Sequence, residues 1–146
     1  MPLASVRILI ATLWVGSLWA IGYVVAPTLF ATLADRVLAG TIAGSLFRIV
    51  AWLSVVSAVL LACLLMREAD PIRRRSCLRL IGTMLVCTLI GYFAVQPWMA
   101  GLRAAAGPGG VMESAAKMQF GALHGIASGI YLIQSLLGAA LILKLR

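Results

Sequence analysis

The chain has 146 residues and a formal net charge of +8, yet 63% of its residues are hydrophobic and only 11% are charged. Soluble domains are about half apolar, so a mean hydropathy of +1.08 excludes a water-soluble globule. The basic residues gather at the ends of apolar runs rather than on a polar surface, which excludes a nucleic-acid partner in favour of the lipid bilayer.

Residues 8–34, 49–66, 80–102 and 118–143 carry no charge, and roughly 20 apolar residues cross a ~30 Å hydrocarbon core. The expected architecture is all-α, an integral membrane bundle of four transmembrane helices in one domain over residues 1–146. The helices are placed at about 8–34, 44–66, 77–101 and 115–143, with a short interfacial helix between the first two.

The first apolar run is far longer than the ~7–15 residues of a signal h-region, so it reads as a retained span. Pro27 in "VVAPTLF" is expected to kink it by removing a backbone hydrogen bond. "DRVLAGTIAGSLFR" is too mixed for a plain loop and reads as the interfacial helix, with Gly40 and Gly44 permitting close approach. The second span ends at "READPIRRRS", where Pro71 cannot continue the preceding helix. The third closes on "VQPWMAG", with a polar Gln96, a second proline and an interfacial Trp98. "RAAAGPGGVMESAAK" follows as a loop broken at Gly107-Pro108-Gly109-Gly110. No internal repeat is visible.

Eight basic residues (Arg7, Arg67, Arg73, Arg74, Arg75, Arg79, Lys144 and Arg146) fall on one side of an alternating four-helix chain. Arg36, Arg48, Arg103 and Lys117 fall on the other. The positive-inside rule then places both termini in the cytoplasm. "PIRRRSCLR" is a topology signal, and Arg73, Arg74, Arg75 and Arg79 are also candidates for anionic lipid headgroups. Cys63, Cys77 and Cys87 lie towards the cytoplasmic side without zinc-like spacing and read as reduced packing residues.

The fourth span is the most patterned. Gly121, Gly125 and Gly129 form a doubled GxxxG, a spacing that lets helix backbones approach closely. With Pro27, these glycines are the expected helix-packing positions, within the bundle or in a homo- or hetero-oligomer. His124, the only histidine, shares a heptad line with Ser128, Tyr131, Ser135 and Gly138. Ionisable residues in spans usually face the bundle interior, so the line is expected to point inward, with His124 bonded to a neighbouring helix. Tyr23, Arg48, Gln96, Gln119, His124 and Ser128 then converge in the outer third as a candidate polar cluster.

That cluster has a structural reading, fixing helix register, and a functional one, an outward-facing cup for a small ligand, a metal or a proton. One histidine without an accompanying carboxylate is a poor metal site, so no metal site and no cofactor are assigned. The four acidic residues lie near loops and no catalytic constellation appears, so an enzyme is not expected. The function expected is a non-enzymatic membrane protein binding or passing a small solute or metal through the cup. The alternative is a structural or assembly partner of another membrane protein, docking through the glycine stripe.

"LWVGSLWAIGYVVAPTLFATL", "AGTIAGSLFRIV" and "FGALHGIASGIYLIQSLLG" resemble, in order, bacterial members of the transmembrane protein 205-like family, a domain of unknown function. The resemblance implies a small four-helix protein of a bacterial inner membrane, without established activity, whose eukaryotic relatives are linked to handling of toxic metal drugs. The family pattern falls on Pro27, Phe30, Gly40, Phe47, Phe120, His124, Gly125 and Ser128.

Overall fold

A computed structural model describes residues 3–106 and 110–146. Four long helices account for nearly all of them: α1 (Leu3–Thr32), α2 (Arg36–Leu65), α3 (Pro71–Ala105) and α4 (Lys117–Leu145). The described residues contain no strand. Each helix is apolar enough and long enough to span a membrane. Even the shortest, α4 with 29 residues, reaches about 44 Å at 1.5 Å per residue. Its ends therefore project beyond a ~30 Å hydrocarbon core.

Local chemistry sets the helix starts. Asp35 Oδ1 accepts the Val37 and Leu38 amides at 2.8 and 3.0 Å. Asp70 Oδ1 accepts the Ile72 amide at 2.9 Å, ahead of Pro71 in the first turn. Both are N-caps that satisfy donors left over at a helix start. The expected interfacial helix is not separate: α2 runs unbroken from Arg36 through Gly40 and Gly44 into the span, because the Asp35 cap starts one continuous helix. Gly110 takes φ +78°, a conformation costly for other residues. The rest of the expected break, Gly107-Pro108-Gly109, lies outside the described residues.

Both prolines disturb their helices in the same way. In α1 the turns over Ala20–Val25 widen into a π-helix, and the Ala26 amide reaches back five residues to the Ile21 carbonyl. In α3 the π segment is Leu89–Val95, and the Gln96 amide reaches the Gly91 carbonyl. Pro27 and Pro97 follow immediately, where a missing N–H already breaks the regular ladder.

This matched irregularity belongs to a wider repeat that corrects the expectation of none. Buried positions in α1 and α3 recur 70 residues apart: Arg7 and Cys77, Ala11 and Ile81, Trp14 and Met84, Leu18 and Thr88. In α2 and α4 they recur 80 apart: Ser54 and Gln134, Leu61 and Leu141, Leu65 and Leu145. Each hairpin is tied by one buried polar bond, Trp14 Nε1 to Ser54 Oγ at 2.8 Å and Gln134 Nε2 to Thr88 Oγ1 at 2.9 Å. An arginine from the first helix of each hairpin caps the second. Arg7 donates to the Leu64 carbonyl at 2.8 Å and pairs with Glu68. Arg73 donates to the Lys144 and Leu145 carbonyls at 3.0 and 2.7 Å, where the helix dipole favours a cation. Side chains differ at five of these seven matched pairs, so the repeat is one of burial and bonding.

The continuous core lies in the half nearer the termini. Trp14 and Leu18 of α1, Leu61 and Leu65 of α2, Met84 of α3 and Leu141 of α4 are almost wholly buried there. Gly138 permits it: a Cβ at that position would lie 2.8 Å from Val15 Cγ2. Outward, Leu13, Ile49, Trp52, Ile126 and Leu136 are exposed, a surface suited to lipid and unsuited to water.

Candidate functional site

The continuous core ends near the π segments; beyond them lies the end where α1 connects to α2 and α3 to α4, here termed the loop end. At the level where the core ends, three rings from three helices meet. Tyr131 of α4 stands edge-on to Tyr23 of α1 and Phe47 of α2, with centroids 6.0 and 5.5 Å away. Two hydroxyls cross between α1 and α4 in opposite directions. Tyr131 donates to the Leu18 carbonyl at 2.7 Å and Tyr23 donates to Ser135 Oγ at 3.0 Å. A Cβ at Gly22 would overlap the Tyr131 ring, so the glycine in the π turn is what admits that ring. These contacts form a floor, with the tight core on its far side.

Above the floor the polar contacts centre on Arg103. Its Nη2 donates to Gln96 Oε1 at 3.0 Å, and its guanidinium carbon lies 5.6 Å from the centre of the Phe120 ring, a cation–π distance. A Cβ at Gly44 would lie 3.7 Å from Nη1, so the guanidinium lies beside α2 where that helix carries no side chain. Phe120 in turn lies parallel to His124, with ring centres 6.2 Å apart. Arg103 Nε is buried without a hydrogen-bond partner among the described residues. No carboxylate comes within ion-pair distance of it there; the ion pair found is Arg7–Glu68.

The expected cluster is therefore not assembled as a unit. Gln96 sits at the centre, and Tyr23 takes part in the floor beneath. Arg48, Gln119, His124 and Ser128 are exposed. His124 does not bond a neighbouring helix; Ser128 Oγ donates to the His124 carbonyl within α4, and the imidazole stacks on Phe120. The heptad line points inward only from Tyr131 downwards. In the loop-end half, Phe120, Leu123, Ala127 and Ile130 turn towards the bundle instead, one position away from the polar line.

The glycine stripe is also turned outward. Gly121, Gly125 and Gly129 are exposed, and a Cβ on any of them would meet nothing within 4 Å. Pro27 is exposed at the end of its π segment. The glycines whose added Cβ would meet a neighbour closely are Gly22, Gly110 and Gly138. At the opposite end, Arg73 is committed to capping α4, whereas Arg75 and Arg79 are exposed one turn apart.

Sequence reasoning missed Arg103 by ending the third helix at Gly101. The signal was present: Gln96, Met99 and Arg103 are spaced 3 and 4, a single helix face, and Met99 is buried. Among the described residues no three of His, Cys, Asp and Glu come together as metal ligands. The three cysteines are free, Cys77 buried, Cys87 half-buried and Cys63 exposed.

These features define a multi-pass helical membrane protein with a continuous core in one half, an aromatic floor, and a half-buried arginine in the loop-end half. A family model, described as a domain of unknown function (DUF4149), matches residues 9–108, so the chain belongs to that family. The match spans α1 to α3; the narrower transmembrane protein 205-like name rests on the quoted motifs alone. No curated protein and no solved structure matches the chain.

Proposed function

We propose that this is a non-enzymatic protein of a bacterial inner membrane, whose loop-end half forms an outward-facing cup for a small solute. One observation carries the reading. The two π segments with their prolines stand at corresponding places in the two hairpins, at the level where the tight core stops. Interrupted helices at matching positions of two repeats mark the solute site in many transporters, because broken turns release backbone groups towards a cavity. The basic asymmetry, eight residues against four, orients the loop end outward and both termini to the cytoplasm. At the cytoplasmic end Arg75 and Arg79 are free to hold anionic headgroups at about 1 kcal/mol each.

The test is thiol accessibility in intact cells, in a background freed of Cys63, Cys77 and Cys87. A membrane-impermeant maleimide is expected to label Met112→Cys at the loop end and also Ala127→Cys and Ile130→Cys on the inward side of α4. Leu141→Cys, in the tight core, should stay unlabelled. Labelling of Met112→Cys alone would remove the cup, and labelling of Met112→Cys only after permeabilisation would reverse the orientation.

A second reading, assembly with another membrane protein through α4, is favoured by the outward aspect of Gly121, Gly125 and Gly129 with open space beside each. In that reading Gly125→Leu lowers co-purification of a partner or a second copy by about tenfold, as bulk at a GxxxG seam separates helix backbones. An unchanged assembly state in mild detergent would remove it.

A further inference from the structure

We infer that the loop end binds an oxyanion, phosphate-like or carboxylate-like, on the guanidinium of Arg103. The inference rests on the cup reading and supplies the chemical class of its ligand. A guanidinium has five N–H donors in a planar fork and no acceptor. Here one of them meets a protein oxygen, that of Gln96, and the Nε group is buried and unused among the described residues. Burying a cation without an opposite charge is costly, and the Phe120 face and a neutral amide offset that cost only in part.

No acid of the chain is placed to complete the site. The loop end holds Arg36, Arg48, Arg103 and Lys117 against Asp35 and Glu113, so it attracts anions on balance. Asp35 is occupied in capping α2 and exposed, and Glu113 is exposed in the turn before α4. The segments outside the described residues, Met1-Pro2 and Gly107-Pro108-Gly109, contain no acidic side chain.

Gly44 presents no side chain towards Nη1, and a Cβ there would come to 3.7 Å, next to where an accepting oxygen would sit at ~2.8 Å from the nitrogen. An oxyanion with two oxygens can bridge two guanidinium N–H groups at once, a geometry lysine cannot match. Gln96 holds the guanidinium from α3 and Phe120 supports its face from α4, so the fork is oriented before the ligand arrives.

The experiment titrates inorganic phosphate into the purified protein in nanodiscs of phosphatidylcholine alone, at ionic strength held constant with potassium chloride. Calorimetry and the thermal unfolding midpoint are the readouts. A saturable heat and a rising midpoint are expected. Arg103→Gln should abolish both, and Arg103→Lys should weaken the affinity at least about tenfold, the loss of one charge-assisted bond. Lys117→Gln should leave it near wild type.

A second arm uses nanodiscs of equal phosphatidylcholine and phosphatidylglycerol. Stabilisation by phosphatidylglycerol that needs Arg103, with silence towards free phosphate, assigns the oxyanion to a lipid headgroup and still supports the site. Absence of any Arg103-dependent effect in both arms, with Arg103→Lys folded as wild type, overturns the inference. The cup is judged separately by thiol labelling: labelled Ala127→Cys and Ile130→Cys with no anion effect would leave the cup standing and remove its ligand class.

Discussion

Gly138→Leu is expected to cost about 3 kcal/mol or more, whereas Gly125→Leu in the same helix should change monomer stability by less than about 0.5 kcal/mol. At Gly138 the first added carbon already meets Val15 Cγ2 at 2.8 Å and Met84 Cε at 3.4 Å. Val15 and Met84 are themselves almost wholly buried, one in α1 and one in α3. Neither can retreat without moving its own helix, so the remaining three carbons of leucine would separate α4 from two neighbours together. At Gly125 the added side chain enters open space and replaces a poor helix former with a good one. Reversible unfolding in mixed detergent micelles measures both. Equal stability of the two variants would contradict the placement of α4 between α1 and α3.

The contrast marks what the sequence could tell. Gly121, Gly125 and Gly129 advertise themselves by spacing, but GxxxG says that a close approach is allowed and not which way the stripe faces. Gly22 stands without a motif and Gly138 only at the end of the heptad line, because what makes each necessary, the Tyr131 ring or the Val15 methyls, belongs to another helix. His124 illustrates a second limit. The polar line through His124 and Ser128 and the apolar line through Phe120, Leu123, Ala127 and Ile130 share the same 3–4 spacing, so periodicity cannot choose between them.

Membrane histidines face inward where they lie within the hydrocarbon core. Helix α4 exceeds that core by about 14 Å, or about 7 Å at each end if centred, and His124 lies about 10 Å from the start of the helix. It is thus close to the interface, where a ring that is apolar on its faces and polar at its edge can remain exposed. What was legible came from effects that act over a few residues or over a whole span. The four spans follow from apolar run length, whereas the second, expected from about 44, in fact starts at the Asp35 cap. The repeat was invisible because the pairs Trp14 with Met84 and Ser54 with Gln134 share burial and bonding roles without sharing chemistry.

Tyr131→Ala is expected to be the most damaging single change to the proposed cup, lowering stability by about 3 kcal/mol, the low end for deleting a buried ring. Tyr131 is half-buried rather than fully so, which is why the upper range is not expected. Loss of the ring empties the space against Gly22 and removes the edge-on contacts to Tyr23 and Phe47. Tyr131→Phe separates the two contributions. It keeps the ring and removes only the bond to the Leu18 carbonyl, and membrane-buried hydrogen bonds average about 0.6 kcal/mol. The functional consequence differs from the energetic one. Ser135 is buried just beneath the floor, bonded by Tyr23 and to the Tyr131 carbonyl. If the aromatic layer is what separates an aqueous cup from the core, Ser135→Cys should be inert to an impermeant maleimide with Tyr131 present. It should become reactive from the loop end in Tyr131→Ala and stay inert in Tyr131→Phe. A Ser135→Cys thiol equally unreactive in all three backgrounds, with the Tyr131→Ala protein still folded, would mean that water stops above this layer and that the three rings serve packing alone.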